Sequence, residues 1–227
     1  MSILVVAAHP DDEVLGCGAS IAKWTEAGNE VHVLILAEGA TSRDAVRNPG
    51  NRIDELSALA KAAHSSGDLL GVTSVRLLNF PDNRMDSVDR LEVIKIVEEQ
   101  IELIKPETIV THHSGDINID HQITHQAVVT ACRPQPRESV RRLLSFEVPS
   151  STEWQPPSSA LAFQPNWFED VSGTINCKLQ ALEVYFAEMR PWPHSRSLQA
   201  VEHLARWRGS SVGYEAAEAF MLLRELC

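Results

Sequence analysis

The chain has 227 residues, a formal net charge of −11, 44% hydrophobic and 22% charged residues. That length and balance predict one large domain with its own core, and exclude a disordered or low-complexity chain. The acidic surplus excludes general attraction to nucleic acid or anionic lipid, and no apolar run approaches the ~18 residues of a membrane span.

Residues 2–8 form an apolar run that predicts strand 1, followed by His9-Pro10-Asp11-Asp12-Glu13. Pro10 fixes its own φ and lacks an N–H, so the strand must turn there. Residues 14–27 predict a helix stopped by Gly28, with Gly16 and Gly18 in its first turns. Residues 31–37 form a second apolar run, which suits a strand covered on both faces. Strand, helix and strand make a right-handed βαβ unit.

A polar loop over 38–50 follows, then a helix over 52–65 with Ile53, Leu56, Leu59, Ala60 and Ala63 at helical spacing. Strand 3 is expected over 74–78 and a turn-rich loop over 79–86. Ser87 is read as the cap of a helix running to about 104, and Pro106 as its stop. Strand 4 is expected over 108–111, a helix over 120–133, and a further strand over 143–148.

From Pro149 the chain becomes loop-rich, through Trp154 and the Pro157, Ser158 and Ser159 stretch. Helices are expected over 174–189 and 197–208, separated by the RPWPHS segment, and residues 217–223 are open to a helix or a terminal strand, with the strand preferred. The order predicts an α/β fold, a Rossmann-like three-layer sandwich with a mainly parallel sheet. Residues 1–148 form its core and 149–227 a helical and loop-rich elaboration within a single domain.

Ligands of such sheets bind beyond the carboxyl ends of the strands. His9, Glu38, Arg43, Asp82 and His113 all follow strands and should share that edge. His9 and Asp12 after strand 1 are metal-ligand types, a neutral nitrogen and a charged oxygen. After strand 4, residues 111–121 hold three His and two Asp, in a chain with nine His. His121 is placed as a third ligand. Asp120 is either a helix cap or an acceptor that orients a ligand imidazole. Strand alternation sends His112 and His113 to opposite faces, one of them to the core. His125 is expected on the helix surface or in packing.

The four cysteines, Cys17, Cys132, Cys177 and Cys227, form no C-x-x-C pair and read as free thiols of a reducing compartment. Residues 1–6 lack a basic leader region and are expected to begin the fold directly, in a cytoplasmic protein.

AHPDDEVLGCG (8–18) and GDINIDH (115–121) resemble the PIG-L/LmbE-like family of zinc-dependent N-deacetylases. The similarity is clear over residues 1–148. The resemblance implies a Rossmann-like fold and removal of acetyl groups from N-acetylglucosamine units, with amino sugars as small-molecule partners. It implies a Zn2+ held by His9, Asp12 and His121, with Asp11 as the base. Many members carry histidine at the position of Asn118, as an acid. Asn118 is able only to donate a hydrogen bond to an oxyanion here. The acid must then come from His194, His113 or Asp11 itself, with His194 entering the cleft from this chain or from a neighbour in a homo-oligomer. Arg43, Asp82, Arg84 and Trp192 are candidates for contacting the sugar.

Two rival readings stand beside this one. Gly16-Cys17-Gly18 is half of a dinucleotide fingerprint, but Ile21 stands where the third glycine is wanted. The other keeps the metal in a protein without catalysis.

Overall fold

The computed structural model describes residues 1–136, 139–156 and 162–227. Pro157, Ser158 and Ser159 of the predicted loop lie outside the described residues. Thirteen longer elements alternate along the chain: β1 (Ser2–Ala7), α1 (Asp12–Glu26), β2 (Glu30–Ala37), α2 (Ile53–Leu69), β3 (Ser74–Phe80), α3 (Arg90–Ile104), β4 (Thr108–His112), α4 (Ile119–Ala131), β5 (Arg142–Phe146), β6 (Trp167–Asp170), α5 (Ile175–Val184), α6 (Leu198–Ser210) and β7 (Ala217–Glu225).

The strands form one sheet in the order β3-β2-β1-β4-β5-β7-β6. β1 to β5 run parallel, with Val5 opposite Val33 on one side and Val110 on the other. β7 pairs antiparallel with both β5 and β6. Every second residue of β1 serves one face of the sheet. Ile3, Val5 and Ala7 pack with α1, α2, α5 and α6 residues such as Ile21, Leu59, Leu182 and Val201. Leu4 and Val6 pack with α3 and α4 residues such as Val93, Val97, Ile123 and Val128. This two-faced burial is what the unbroken apolar strands announced. The result is the expected α/β sandwich. No helix among the described residues is long and apolar enough to cross a membrane.

The segment from 149 onward contributes more than loops, because β6 and β7 extend the sheet. β6 was not predicted. Three other boundaries differ. Asp89, not Ser87, caps α3 by accepting from the Leu91 N–H at 2.9 Å, while Ser87 closes a short 3-10 turn that starts at Met85. The helix expected over 174–189 ends at Val184. The α4 cap is Asn118, whose side chain accepts from the Asp120 N–H, so Asp120 is not the cap.

α1 is bent. Cys17 leaves helical geometry with φ −149° and ψ 25°. Gly16 faces the ring of Phe146 on β5, and a Cβ added there would lie 2.3 Å from Phe146 Cδ2. Gly16 therefore serves helix–sheet packing, while a Cβ at Gly18 would meet Val14 of the same helix and Lys178 of α5, so packing accounts for both glycines without a dinucleotide. Phe146 is fully buried and has no room to swing aside. Gly16→Ala is expected to destabilise the fold by about 1–3 kcal/mol, the range for overpacking. Urea unfolding checks this as a lowered midpoint with an unchanged slope. An unchanged midpoint would mean that α1 shifts away from β5 freely.

Candidate active site

The strand order reverses between β1 and β4, and the crevice at their carboxyl ends is where such sheets bind ligands. The turn after β1 delivers His9, Asp11 and Asp12. The loop after β4 delivers Asp116, Asn118, Asp120 and His121. Ala8 N–H donates to His112 Nε2 at 2.8 Å, which ties the two strand ends together.

His9 Nδ1 lies 3.2 Å and His121 Nε2 3.1 Å from the same oxygen, Asp12 Oδ2. One ligand atom from each of these residues falls within 4.8 Å of the others. Asp12 is fully buried, and its Oδ1 has no hydrogen-bond partner among the described residues. A buried, unsatisfied carboxylate oxygen is costly unless a cation or donor meets it. The electrostatics point the same way. Burial opposes charging of His121, but the Asp12 carboxylate and the hydrogen bonds to Asp116 and Asp12 push it up to about 9. Burial likewise opposes charging of His9, yet its hydrogen bonds to Asp12 and Asp120 raise it well above the ordinary imidazole range. The cluster draws positive charge. Two imidazoles, one carboxylate and an unsatisfied oxygen fit a zinc-type cation.

Each imidazole is held from behind. His121 Nδ1 lies 3.2 Å from Asp116 Oδ2, and Asp116 also accepts from the hydroxyls of Ser151 and Thr152. Burial opposes ionisation of Asp116, but the His121 hydrogen bond and charge hold it down to about 2. His9 Nε2 lies 2.9 Å from Asp120 Oδ2 and 3.3 Å from Asp82 Oδ1. Asp120 is itself fixed by the N–H groups of Asn83 and Met85. A carboxylate behind a ligand imidazole fixes its orientation and raises its basicity. Asp116 escaped the sequence reading. The signal was present, because it sits five residues before His121 in a loop that feeds a helix.

Asp11 stands beside this cluster without joining it. Its φ of 112° is rare for a residue with a side chain, and such strain gathers at functional sites. Its N–H donates to Glu13 Oε2 at 3.0 Å, and Glu13 Oε1 accepts from Tyr185 OH at 2.6 Å. Arg196 Nη1 donates to Asp11 Oδ2 at 2.7 Å while its Nε is anchored on Ser150 Oγ at 2.9 Å. Burial pushes the Asp11 carboxyl up to about 7, against the pull of Arg196. Burial also raises Glu13, to about 8.

The cluster opens onto a polar cleft. Its walls include His9, Asp11, Ser42, Arg43, Asp82, Asn83, Asn118, Glu188 and Arg196. Four of the residues singled out for contact or catalysis lie elsewhere. Arg84 turns to the carbonyls of Asp44 and Ala45 and pins that loop. Trp192 is half exposed and meets His203 edge-on at 5.6 Å. His194 packs edge-on against Trp154 at 5.6 Å, and its Nδ1 accepts from the Arg196 N–H. The loop that carries His194 does reach the site, but through Arg196. His113 packs against Phe163 and does not line the cleft. His112 is fully buried, stacked on His121 at 4.0 Å, and its carbonyl lies 2.8 Å from His125 Nδ1.

Comparison with known proteins bears on this geometry. Residues 4–132, more than half of the chain, match the PIG-L family, described as GlcNAc-PI de-N-acetylase. The chain is 31% identical over 189 residues to an uncharacterised deacetylase of Escherichia coli (strain K12), YaiS, covering 80% of this chain and 88% of that protein. It is 26% identical over 182 residues to a probable N-acetyl-alpha-D-glucosaminyl L-malate deacetylase 2 of Bacillus cereus, covering 79% of this chain and 80% of that protein. Its backbone resembles the crystal structure of GalB, the 4-carboxy-2-hydroxymuconate hydratase of Pseudomonas putida KT2440, with a TM-score of 0.76, 20% identity, and coverage of 100% of this chain and 97% of that one. A hydratase on this fold means that the backbone alone does not name the reaction. The family match and the relative in Escherichia coli do assign the lineage: the chain belongs to the PIG-L family.

Proposed function

We propose that the protein is a metal-dependent amide hydrolase, working as one domain, that removes the N-acetyl group from an N-acetylglucosamine-type sugar or conjugate. The observation that carries this reading is the convergence of His9, Asp12 and His121 on one point beside an aligned, non-ligating carboxylate, Asp11. The family membership and the amino-sugar names of relatives support the substrate class.

Held by His9, Asp12 and His121, a zinc ion would polarise the acetyl carbonyl and acidify a water. The other steps belong to the chain. Arg196 occupies Asp11 Oδ2 and leaves Oδ1 to take the proton of the attacking water. Oxygen adds to the acetyl carbon, the C–N bond breaks, acetate leaves, and the amine nitrogen takes the proton held by Asp11. One residue thus serves as base and then as acid. Asn118 Nδ2 gives one of its two N–H groups to Asn83 Oδ1 at 3.0 Å, which fixes the amide in the cleft wall and leaves the second N–H to donate to an oxyanion.

The test is metal content together with acetate release. Purified protein is expected to carry one zinc per chain and to release acetate from N-acetylglucosamine conjugates. His121→Ala removes one of three ligands and is expected to lose most of the bound metal and activity. A His121→Ala protein with stoichiometric metal would remove His121 from the ligand set. Full metal content with no acetate from any amino sugar would leave a binding protein.

A further inference from the structure

Beside the polar cleft runs a second, apolar groove between α2 and the turn that follows α5. Leu59, Ala62 and the ring of Tyr185 form its floor, and Ala58 and Phe186 its walls. The Tyr185 hydroxyl is turned away to Glu13, so the ring offers the groove its carbon face, and charged side chains stand only at the edge shared with the cleft and at Glu55. Phe186 is 80% exposed at the lip. An apolar group lying in the groove would cover this ring and gain from burying its surface. Arg43 and Glu188 line both spaces, so the groove continues the cleft across one shared rim.

The rim also says what crosses it. Arg43 lies between two carboxylates, 2.6 Å from Glu188 Oε1 and 3.1 Å from Glu55 Oε2. Glu55 also meets Arg52 at 2.6 Å, so the charges at the rim are paired with one another and the Arg43 guanidinium is already taken by carboxylates rather than held out to a phosphate linker. We infer that the substrate is an N-acetylglucosamine glycoside with a neutral apolar aglycone, whose sugar occupies the cleft and whose alkyl or aryl group lies in the α2–α5 groove. This rests on the deacetylase reading and narrows its substrate class.

The experiment compares free N-acetylglucosamine, N-acetylglucosamine 1-phosphate, and both anomers of hexyl N-acetylglucosaminide. Acetate release gives kcat/KM, and titration calorimetry on the same zinc-loaded protein gives binding. One hexyl anomer is expected to exceed the free sugar by at least about tenfold in kcat/KM, as burial of several methylenes predicts, with the phosphate no better than the free sugar. Ala58→Glu places a charge in the wall from an exposed helix position, so the fold survives. It is expected to bring the hexyl-to-free ratio close to unity.

Equal rates on hexyl and free sugar would overturn the groove and leave the deacetylase reading in place. A clear preference for the phosphate would also overturn it. Hexyl binding that Ala58→Glu abolishes, without acetate from any sugar, would uphold the groove and end the deacetylase reading. A change of oligomeric state in Ala58→Glu, with the ratio unmoved, would assign the groove to a second copy of the chain and overturn the inference.

Discussion

Asp11→Asn is expected to lower kcat for acetate release by about 10²–10⁴-fold, the usual contribution of a positioned acid or base, while zinc content and fold stay unchanged. Three features make this substitution informative. Asn is among the few side chains tolerated at positive φ, so the φ of 112° is kept. The amide oxygen is able to accept from Arg196 as Oδ2 does at 2.7 Å. The backbone N–H remains on Glu13. What disappears is the capacity to hold a proton. Metal analysis and steady-state kinetics on one preparation separate the possibilities. Loss of zinc in Asp11→Asn would make Asp11 a ligand, and wild-type turnover would remove it from the proton path.

The second large effect concerns stability. At the bend of α1, the N–H groups of Ala19 and Ser20 donate to the two oxygens of Glu218, at 3.2 and 2.6 Å. Lys178 Nζ donates to Glu218 Oε1 at 2.6 Å and to the Leu15 carbonyl at 2.8 Å. Both residues are 4% exposed. A buried ion pair from α5 and β7 thus satisfies backbone groups next to a break in the helix, and its carboxylate lies at the positive end of the second half-helix. Lys178→Ala leaves Glu218 buried without its counter-charge and is expected to cost about 3–5 kcal/mol. Adding Glu218→Gln to that variant removes the uncompensated charge and should recover part of the loss, because the amide oxygen still accepts from one N–H. Urea unfolding of the three proteins reads this directly. A cost below about 1 kcal/mol for Lys178→Ala would show that water or a side-chain shift replaces the ammonium.

Much of the architecture was legible because it is written in local pattern. The runs 2–8 and 31–37 are apolar without alternation and can only be strands covered twice. His9 and His121 each follow a strand run by a short turn or loop, so their meeting at one edge follows from the topology. β6 has four residues, Trp-Phe-Glu-Asp, with no alternation, and it is a strand only because β7 lies beside it. Ser87 and Asp89 are equal as caps on paper, and the 3-10 turn at Met85 decides between them. The C-terminal contribution to the site was located by loop but not by residue. His194 has the chemistry that attracts notice, whereas an arginine in a polar loop reads as a solvated charge. Only the tertiary fold brings Arg196 onto Asp11. Gly16 announces a close approach without naming its partner, and the ring of Phe146 that it makes room for lies far along the chain.

The contacts that prepare Asp11 reach far along the chain: Arg196 is separated from it by 185 positions, and Tyr185 from Glu13 by 172. A ribosome works from the amino end, so His9, Asp12 and His121 are all made before Tyr185 and Arg196. A chain that stops short of Arg196 carries His9, Asp12 and His121 but lacks the guanidinium that holds Asp11. The side chains that meet at Asp12 and the side chains that hold Asp11 are therefore made at different moments of synthesis, and the site is complete only when nearly the whole chain is present.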